Sequence, residues 1–416
     1  MIHCADCLDV LRGMAECSVD MVATDPPYGI SFMGKEWDRA LPDPAIWREC
    51  LRVLKPGGAA CVMSGARLDC LWRVCRDLEE AGFELAQSCF TWVYRSGFPK
   101  GDDLSKRADK RAGAERTDGA REWCGGQRAG GILGTNFGTQ TIVKYDAPAT
   151  PLAVALDGQF TKGKLKPAME FIIWCRKPIS EATEFDNVVR WGTGSVNCGK
   201  CMVPYDDAEP DAGWIGYSGH GQPVGSALHG NENGALNKDG GVKYSAGRFP
   251  ANVLCMDDAL GEGSRYFDID SWSREHGIAE DGWADAAAAG MLQVPKPSRA
   301  EKNQGCEGLP ERKAGSLEFR NRDSGKGQFD GEQTFASNAH PSVKPIRLFS
   351  YIIHLLCPSG GLVLDPFCGS GTTGVAAVQA GYQFIGCDME PEYCEIARAR
   401  IEHAAATPMQ LAMEGT

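Results

Sequence analysis

The 416-residue sequence lacks the features that mark membrane and exported proteins. No stretch approaches the roughly 18 consecutive apolar residues that a membrane-spanning helix needs. The opening residues, MIHCADCLDV, contain no basic cluster followed by an apolar block, so we expect no secretory signal. Hydrophobic residues make up 43% of the chain, which is enough for a packed core. These observations predict a soluble, cytoplasmic protein with no membrane partner.

The spacing of the 18 cysteines gives no sign of a disulfide framework. Many cysteines stand in apolar stretches, where cysteine behaves as a small hydrophobic residue. Two Cys-x-x-Cys pairs occur, Cys4 with Cys7 and Cys198 with Cys201, but they lie far apart in the chain. Because a structural zinc site needs four ligands, we expect thiols at these positions and no metal.

The chain also lacks an excess of positively charged residues, since its formal net charge is −12. Contacts with nucleic-acid phosphates require lysine and arginine, so the average alone disfavours a DNA-binding surface. Residues 95–116 and 296–322 are exceptions, each with seven basic and four acidic residues. A solvated face and a DNA contact remain open for both stretches. The candidates for phosphate contacts are Lys106, Arg107, Lys110 and Arg111.

Strand and helix patterns alternate at both ends of the chain. The N-terminal part predicts strands over 19–24, 59–65 and 85–95, and helices over 45–54 and 67–81. Residues 166–178 again have strand character. The C-terminal part predicts strands over 361–364 and 382–388, and helices over 343–356, 392–403 and from the loop at 369 to Gly381. This alternation predicts a mostly parallel sheet covered by helices.

Two long stretches interrupt this pattern and are predicted to be insertions. Residues 101–164 are charged and rich in glycine, with little periodicity. Residues 181–335 are rich in Gly, Asn, Asp and Ser, which favours short elements and loops. The remaining segments, 1–100 with 165–180 and 336–405, then form the two halves of one α/β core. Residues 406–416 are predicted to be a tail.

Directly after the predicted strand Val19–Thr24 stands Asp25-Pro26-Pro27-Tyr28, here called the DPPY corner. Proline cannot continue a sheet ladder, and its ring stiffens the backbone. The result is a rigid turn that carries one carboxylate, free carbonyl oxygens and one aromatic ring. Such a turn can hold a planar group that bears N–H bonds. The simplest alternative is a structural Pro-Pro turn with a packing tyrosine.

Residues 365–373, DPFCGSGTT, follow a predicted strand and open a predicted helix; they are here called the glycine loop. Glycines allow the backbone to approach a ligand closely. Asp388 ends the next strand, 19 residues after Gly369, where it can bind two ribose hydroxyls. The loop lacks both the lysine of a P-loop and the third glycine of the dinucleotide fingerprint. The Asp365 carboxylate favours a cationic nucleoside, S-adenosylmethionine, over a pyrophosphate; a tight structural turn is the alternative.

Together the two motifs resemble those of the amino-group DNA methyltransferases. The DPPY corner precedes the glycine loop in the chain, which resembles the circularly permuted beta class. The resemblance implies a Rossmann-like α/β S-adenosylmethionine-dependent methyltransferase sheet, circularly permuted, with a large irregular insertion domain. Segments such as DPPYGISFMGKEWD and GRFPANVL look like those of phage and prophage DNA adenine methyltransferases.

The resemblance also implies roles for individual residues. Residues 181–335 would recognise the target sequence, and residues 336–405 would bind the methyl donor. The implied catalytic residues are Asp25, Pro26, Pro27 and Tyr28. The implied donor-binding residues are Asp6 near the adenine, Lys344 and Pro345 at the methionine end, Asp388 at the ribose, and Asp365, Phe367, Gly369, Ser370, Gly371, Thr372 and Thr373 in the glycine loop.

These residues predict transfer of a methyl group to an exocyclic amine. Asp25 and the Pro26 carbonyl would accept hydrogen bonds from the amine, and Tyr28 would stack on a base flipped out of double-stranded DNA. Asp25, in place of serine, favours N6 of adenine over the alternative, N4 of cytosine. Protein glutamine methylation and DNA binding without catalysis are less consistent with these motifs. A homodimer and a restriction endonuclease partner remain open.

Overall fold

The computed structural model describes residues 1–30, 36–94, 101–123, 141–161, 168–203, 234–236, 242–244, 250–255, 299–313 and 335–406. The chain divides into two units. The main unit comprises Met1–Ser96 and Ala168–Thr416, and the small unit comprises Gly97–Pro167. Within the described part, no helix is long and apolar enough to cross a membrane.

The described strands are β1 (Ile2–Cys4), β2 (Val19–Thr24), β3 (Leu54–Gly65), β4 (Glu84–Leu85), β5 (Phe90–Val93), β6 (Thr117–Trp123), β7 (Thr141–Ala147), β8 (Met169–Arg176), β9 (Gly234–Leu236), β10 (Val242–Tyr244), β11 (Val253–Cys255), β12 (Arg312–Lys313), β13 (Phe335–Ala336), β14 (Leu362–Asp365) and β15 (Gln383–Asp388). Nine of them form the main sheet, in the order β1-β15-β14-β2-β3-β8-β5-β11, with β4 paired to β8. Every pair in this sheet is parallel except those of β8, which runs antiparallel to β3, β4 and β5.

The described α-helices are α1 (Cys7–Gly13), α2 (Pro44–Val53), α3 (Leu68–Ala81), α4 (Leu104–Ala112), α5 (Pro151–Ala155), α6 (Glu184–Trp191), α7 (Arg299–Asn303), α8 (Ile346–Leu356), α9 (Thr372–Gln379) and α10 (Pro391–Ala406). Helices cover both faces of the main sheet. Met21 of β2 packs in one core cluster with residues of α8 and α9, whereas Val22 packs in the other with residues of α2 and α3. Successive residues of a strand point to opposite faces, so a strand buried on both sides is apolar throughout.

Several predicted elements are confirmed and others differ in their bounds. Strand β2 has the predicted limits, and α3 ends at Ala81, followed by Gly82, whose φ of 106° suits glycine. Strand β3 begins at Leu54 rather than at residue 59. Its pairing with β2 shifts in register between Leu54 and Ala59, so the intervening residues remain part of the strand. Helix α8 begins at Ile346 rather than at 343, because the residue before Pro345 is pushed out of the helical region.

The strand predicted over 85–95 is divided into β4 and β5. Leu85 pairs with Cys175 and Phe90 pairs with Ile172, so five residue steps on one side oppose three on β8. The ladder cannot continue across this mismatch, and the chain leaves the sheet between the two short strands.

Part of the predicted recognition insertion belongs to the main sheet. Strand β11 pairs in parallel with β5 at the sheet edge, which the composition of residues 181–335 did not indicate. Helix α6 also lies in the main unit. Most of 204–298 and 314–334 lies outside the described residues, as do 407–416 of the predicted tail. The functional division of the chain therefore stays a prediction.

The small unit contains α4, α5 and the antiparallel pair β6 and β7. Buried Asp109 of α4 accepts hydrogen bonds from the backbone amides of Ala149 and Thr150, and so joins α4 to the N-terminal end of α5. On the same helix, Arg107, Lys110 and Arg111 are exposed, whereas Lys106 is half-buried.

Candidate active site

The DPPY corner and the glycine loop begin at the same edge of the main sheet. Strands β2 and β14 are parallel neighbours, with Met21 opposite Val363. The two strands end at Thr24 and Asp365, and the Thr24 hydroxyl donates a hydrogen bond of 2.5 Å to the Asp365 carboxylate. Two segments that are distant in the chain are thereby held side by side.

Asp365 lies in the interior, with 2% of its surface exposed. Its Oδ1 accepts hydrogen bonds from the Thr24 hydroxyl and from the Phe367 backbone amide. Burial raises the pKa of Asp365 to about 7, although these hydrogen bonds oppose the shift. In this structure the carboxyl group ties the start of the glycine loop to β2, and its contact with a cationic ligand stays a prediction.

The Asp25 carboxylate has a partner on each oxygen. Oδ1 accepts a hydrogen bond of 2.7 Å from the Tyr28 hydroxyl, and Oδ2 accepts one of 2.5 Å from the Lys344 ammonium. The side chains of Asp25 and Lys344 are 17% and 12% exposed. Lys344 thus contacts the DPPY corner. The resemblance implied a contact with the methionine end of the donor, and that contact stays a prediction. Pro345 precedes α8 as its N-terminal cap residue.

The backbone of the DPPY corner is held by Asp38. Its Oδ1 accepts hydrogen bonds from the amides of Tyr28, at 2.6 Å, and Gly29, at 3.0 Å. Asp38 is 2% exposed, and Gly29 has a φ of 67°, a conformation that suits glycine. Asp38 was not predicted from the sequence, because an acid ten residues after Tyr28 carries no local signal for this contact.

A second carboxylate, Glu170, reaches the same place from β8. Because β8 is antiparallel to its neighbours, its first residues lie where the parallel strands end; Glu170 pairs with Gly65 and Trp92. Oε2 accepts a hydrogen bond of 3.3 Å from the Tyr28 hydroxyl and lies 3.6 Å from the Lys344 ammonium. Glu170 was also not predicted from the sequence. An acid at the start of a strongly apolar segment, MEFIIWC, could have indicated a functional carboxylate.

The charges of this cluster follow from its burial. Burial lowers the pKa of Lys344, but Asp25 and Glu170 raise it by more, so the amine stays charged. Burial also raises the pKa of Tyr28, and both carboxylates raise it further. The Tyr28 hydroxyl therefore keeps its proton and acts as a donor. One ammonium and one phenol are shared by two carboxylates.

Asp388 stabilises the conformation of the glycine loop through hydrogen bonds. Its Oδ2 accepts a hydrogen bond from the Gly369 amide and its Oδ1 one from the Glu390 amide, both of 2.9 Å. Gly369 and Gly371 have φ values of 50° and 80°, in the left-handed region. Burial raises the pKa of Asp388 above its ordinary value. The acid predicted for a ribose is thus also a structural acceptor for the loop.

The hydroxyl residues of the loop face inward. Ser370, Thr372 and Thr373 are buried, and the Arg400 guanidinium of α10 donates to the Ser370 carbonyl at 2.8 Å. Phe367 is half-buried, with its ring 6.2 Å from that of Trp47. Contacts of these loop residues with a donor stay predictions.

Asp6 lies on the neighbouring strand end. Strand β1 pairs in parallel with β15, with Cys4 opposite Asp388, and the Ala5 amide donates to the Asp388 carbonyl. Asp6 is exposed and caps α1 by accepting a hydrogen bond from the Leu8 amide. The structure therefore brings Asp6 and Asp388 to one end of the site and the DPPY corner to the other.

Among the described residues, no group of three or more His, Cys, Asp or Glu side chains is placed to hold a metal ion. The main unit is an α/β protein with its motifs at the carboxyl ends of parallel strands. This is the edge at which such sheets bind ligands.

Comparison with known proteins finds similarity to DNA methylases. A family model described as DNA methylase matches residues 235–399. Type II methyltransferase M2.DpnII of Streptococcus pneumoniae is 52% identical over 63 residues, which are 15% of this chain and 24% of that protein. M2.MboI of Moraxella bovis is 44% identical over 61 residues, 15% and 22% of the two chains. The chain thus spans about a quarter of the length of the curated relatives it matches.

Two solved structures are also similar. PvuII DNA methyltransferase (cytosine-N4-specific) has 16% identity and a TM-score of 0.42, over 96% of this chain and 85% of that one. The M1.HpyAVI-SAM complex has 15% identity and a TM-score of 0.36, over 96% and 98%. The family match is confined to residues 235–399, less than half of the chain, and the curated relatives that the chain resembles are DNA-modifying Type II methyltransferases.

Proposed function

We propose that this protein is a site-specific DNA methyltransferase that transfers the methyl group of S-adenosylmethionine to the exocyclic N6 of a flipped adenine in double-stranded DNA. One observation carries the proposal. The Asp25 carboxylate and the glycine loop lie at one sheet edge, joined by the hydrogen bond between Thr24 and Asp365. The match to Type II methyltransferases M2.DpnII and M2.MboI supports DNA methylation within a restriction-modification system.

The residues around the glycine loop fit S-adenosylmethionine. Each Asp388 oxygen accepts one backbone N–H, and a carboxylate oxygen has a second lone pair for a ribose hydroxyl. Asp6 is exposed at the neighbouring strand end. When bound there, the donor would supply a methyl group already activated by its sulfonium charge. Asp6 and Asp388 would bind and orient it, together with the glycine loop and Pro345.

Asp25 would act on the amine of the target base. The lone pair of this amine is delocalised into the ring, which makes the nitrogen a poor nucleophile. Acceptors fixed on its N–H bonds, Asp25 and the Pro26 carbonyl, favour a pyramidal nitrogen and localise the lone pair. The methylated nitrogen is acidic, so its surplus proton leaves towards Asp25 or water. Pro27 stiffens the turn that holds both acceptors.

Tyr28 would hold the flipped base. Stacking of a base on an aromatic ring contributes about 1–3 kcal/mol, which offsets part of the unstacking cost. The ring lies beside Gly65, where an added Cβ would be 3.3 Å from a Tyr28 ring carbon. Glycine at this position therefore leaves space at one side of the ring.

N4 of cytosine is the alternative target, since cytosine also presents an exocyclic amine to such a corner. Asp25 in place of serine favours adenine. Residues 181–335 are proposed to read the target sequence, and Arg107, Lys110 and Arg111 to contact phosphates. We place the reaction in the cytoplasm of a bacterial or phage-infected cell. A homodimer and an endonuclease partner are compatible with this role.

The test is transfer of labelled methyl from S-adenosylmethionine to DNA, followed by digestion to nucleosides. We expect the label in N6-methyldeoxyadenosine. Label on N4 of cytosine would replace the proposal by its alternative, and label on protein alone would overturn both. Sequencing with modified-base detection on the DNA of expressing cells would then identify the target site.

A further inference from the structure

Glu170 shares both hydrogen-bonding partners of Asp25 but belongs to neither sequence motif. The Tyr28 hydroxyl lies 2.7 Å from Asp25 and 3.3 Å from Glu170. The Lys344 ammonium lies 2.5 Å from Asp25 and 3.6 Å from Glu170. Both donors therefore favour Asp25 and have a second carboxylate within reach. The Tyr94 hydroxyl, 3.4 Å from the other Glu170 oxygen, helps to fix this second carboxylate.

The arrangement poses a problem for catalysis by Asp25. Both of its oxygens are engaged, one of them by a full positive charge. A carboxylate oxygen that already binds an ammonium is a weaker acceptor, because the cation neutralises the charge that attracts an N–H bond. For Asp25 to polarise an incoming amine, the Lys344 ammonium has to move away from it.

We propose that Glu170 is a positioning residue that receives the Lys344 ammonium and the Tyr28 hydroxyl when the target amine engages Asp25. This inference rests on the proposed function. The displacement is short, since Lys344 already lies 3.6 Å from the Glu170 oxygen. Lys344 keeps an anionic partner throughout, and Asp25 regains its full negative charge at the moment when the amine needs an acceptor.

Without Glu170, moving the Lys344 ammonium away from Asp25 would cost free energy. The Lys344 side chain is only 12% exposed, and an ammonium withdrawn from water needs a charged partner. If Asp25 were the sole carboxylate nearby, Lys344 would stay on it, and the amine would meet a neutralised acceptor. Asp25 and Glu170 thus provide two alternative binding positions for the Lys344 ammonium.

The first test compares methyl transfer by Glu170→Gln and Glu170→Asp with that of the wild type. We expect Glu170→Gln to lower kcat by at least about 10-fold, with little change in the KM for DNA or for the donor. Glu170→Asp keeps the charge and should restore part of the loss. The control is Glu84→Gln, since Glu84 pairs with Arg176 at the other end of β8 and should leave transfer unchanged.

The second test replaces Glu170 in a chain that lacks the cation. We expect Glu170→Gln to have almost no further effect on kcat in a Lys344→Met background, because no ammonium then has to leave Asp25. The expected coupling between the two positions is on the order of 10-fold. Thermal unfolding of each variant identifies any loss that arises from misfolding.

The outcomes separate this inference from the proposed function. A wild-type protein that methylates no DNA amine would overturn both. An active wild type in which Glu170→Gln keeps its kcat, or in which the loss is equal with and without Lys344, would overturn the inference alone. A rise in KM at constant kcat would likewise contradict it, because that pattern indicates ground-state binding.

Discussion

The hydroxyl of Thr24 donates a 2.5 Å hydrogen bond to the carboxyl group of Asp365, although 341 positions separate the two residues in the chain. Each residue is the last of its strand, β2 or β14; Thr24 directly precedes the DPPY corner, and Asp365 is the first residue of the glycine loop. This contact fixes the spacing between the DPPY corner and the glycine loop. It therefore couples the geometry of the site to the protonation of one buried carboxyl group.

Replacing Thr24 by valine should weaken this link. Valine has the same shape but no hydroxyl, so the buried Asp365 oxygen loses a donor. We expect the free energy of unfolding to fall by about 1–3 kcal/mol, measured by urea denaturation at pH 7. Thr91→Val makes the same exchange in strand β5, outside this contact, and is the control. An unchanged unfolding midpoint for Thr24→Val would show that the contact contributes nothing.

The stability of the protein should contain a pH-dependent contribution from Asp365. Burial raises the pKa of Asp365 from 3.8 to about 7, so the folded state holds a proton that the unfolded state has already lost. The contribution of this group to the free energy of unfolding therefore falls as the pH rises from about 4 to about 7. Its slope is at most about 1.4 kcal/mol per pH unit.

Asp365→Asn, which cannot ionise, isolates this contribution. We expect the stability difference between the variant and the wild type to shift in favour of the variant as the pH rises from 5 to 7. The measurement is urea denaturation of both proteins at each pH. Parallel curves for the two proteins would contradict a raised pKa at this position.

Asp38→Ala should disorganise the DPPY corner. The substitution removes the acceptor for the amides of Tyr28 and Gly29 in a buried position. We expect a loss of about 1–3 kcal/mol in unfolding free energy and a loss of methyl transfer. Asp38→Asn keeps one acceptor oxygen and should recover part of both. Full activity in the alanine variant would refute the assigned role.

Gly369→Ala should impair donor binding through its neighbour. A Cβ there would lie 2.8 Å from Nε2 of His340, and the left-handed backbone adds a penalty of about 1–2 kcal/mol. Gly381→Ala is the matched control, because Gly381 is also left-handed but no atom lies within 4 Å of its Cβ position. Calorimetric titration with S-adenosylmethionine should show weaker binding for Gly369→Ala only. Equal affinities in the two variants would exclude the steric effect.

Asp25→Asn should separate donor binding from transfer. The amide keeps the shape of the side chain but removes the negative charge that attracts the target amine. We expect transfer to fall by about 10²–10³-fold while the affinity for the donor stays close to that of the wild type. Asp9→Asn, an exposed acid paired with Arg12 on α1, is the control. Transfer at the wild-type rate would exclude Asp25 from the mechanism.

The main strands and helices could be read from the sequence because their signals are local. Apolar runs bounded by glycine and proline predicted β2, α3 and β15 within a residue or two. The pairing register of the strands could not be predicted in the same way. The gap between β4 and β5 depends on how residues pair with β8, which no local pattern specifies.

The sequence by itself predicted which residues would carry the chemistry of the two motifs, because DPPY and the glycine loop are contiguous and their backbone constraints are local. The tertiary structure alone decided what surrounds them. Asp38, Glu170 and Lys344 reach the DPPY corner from three separate segments of the chain. Such contacts depend on strand order and on the reversed direction of β8, and a one-dimensional pattern contains neither.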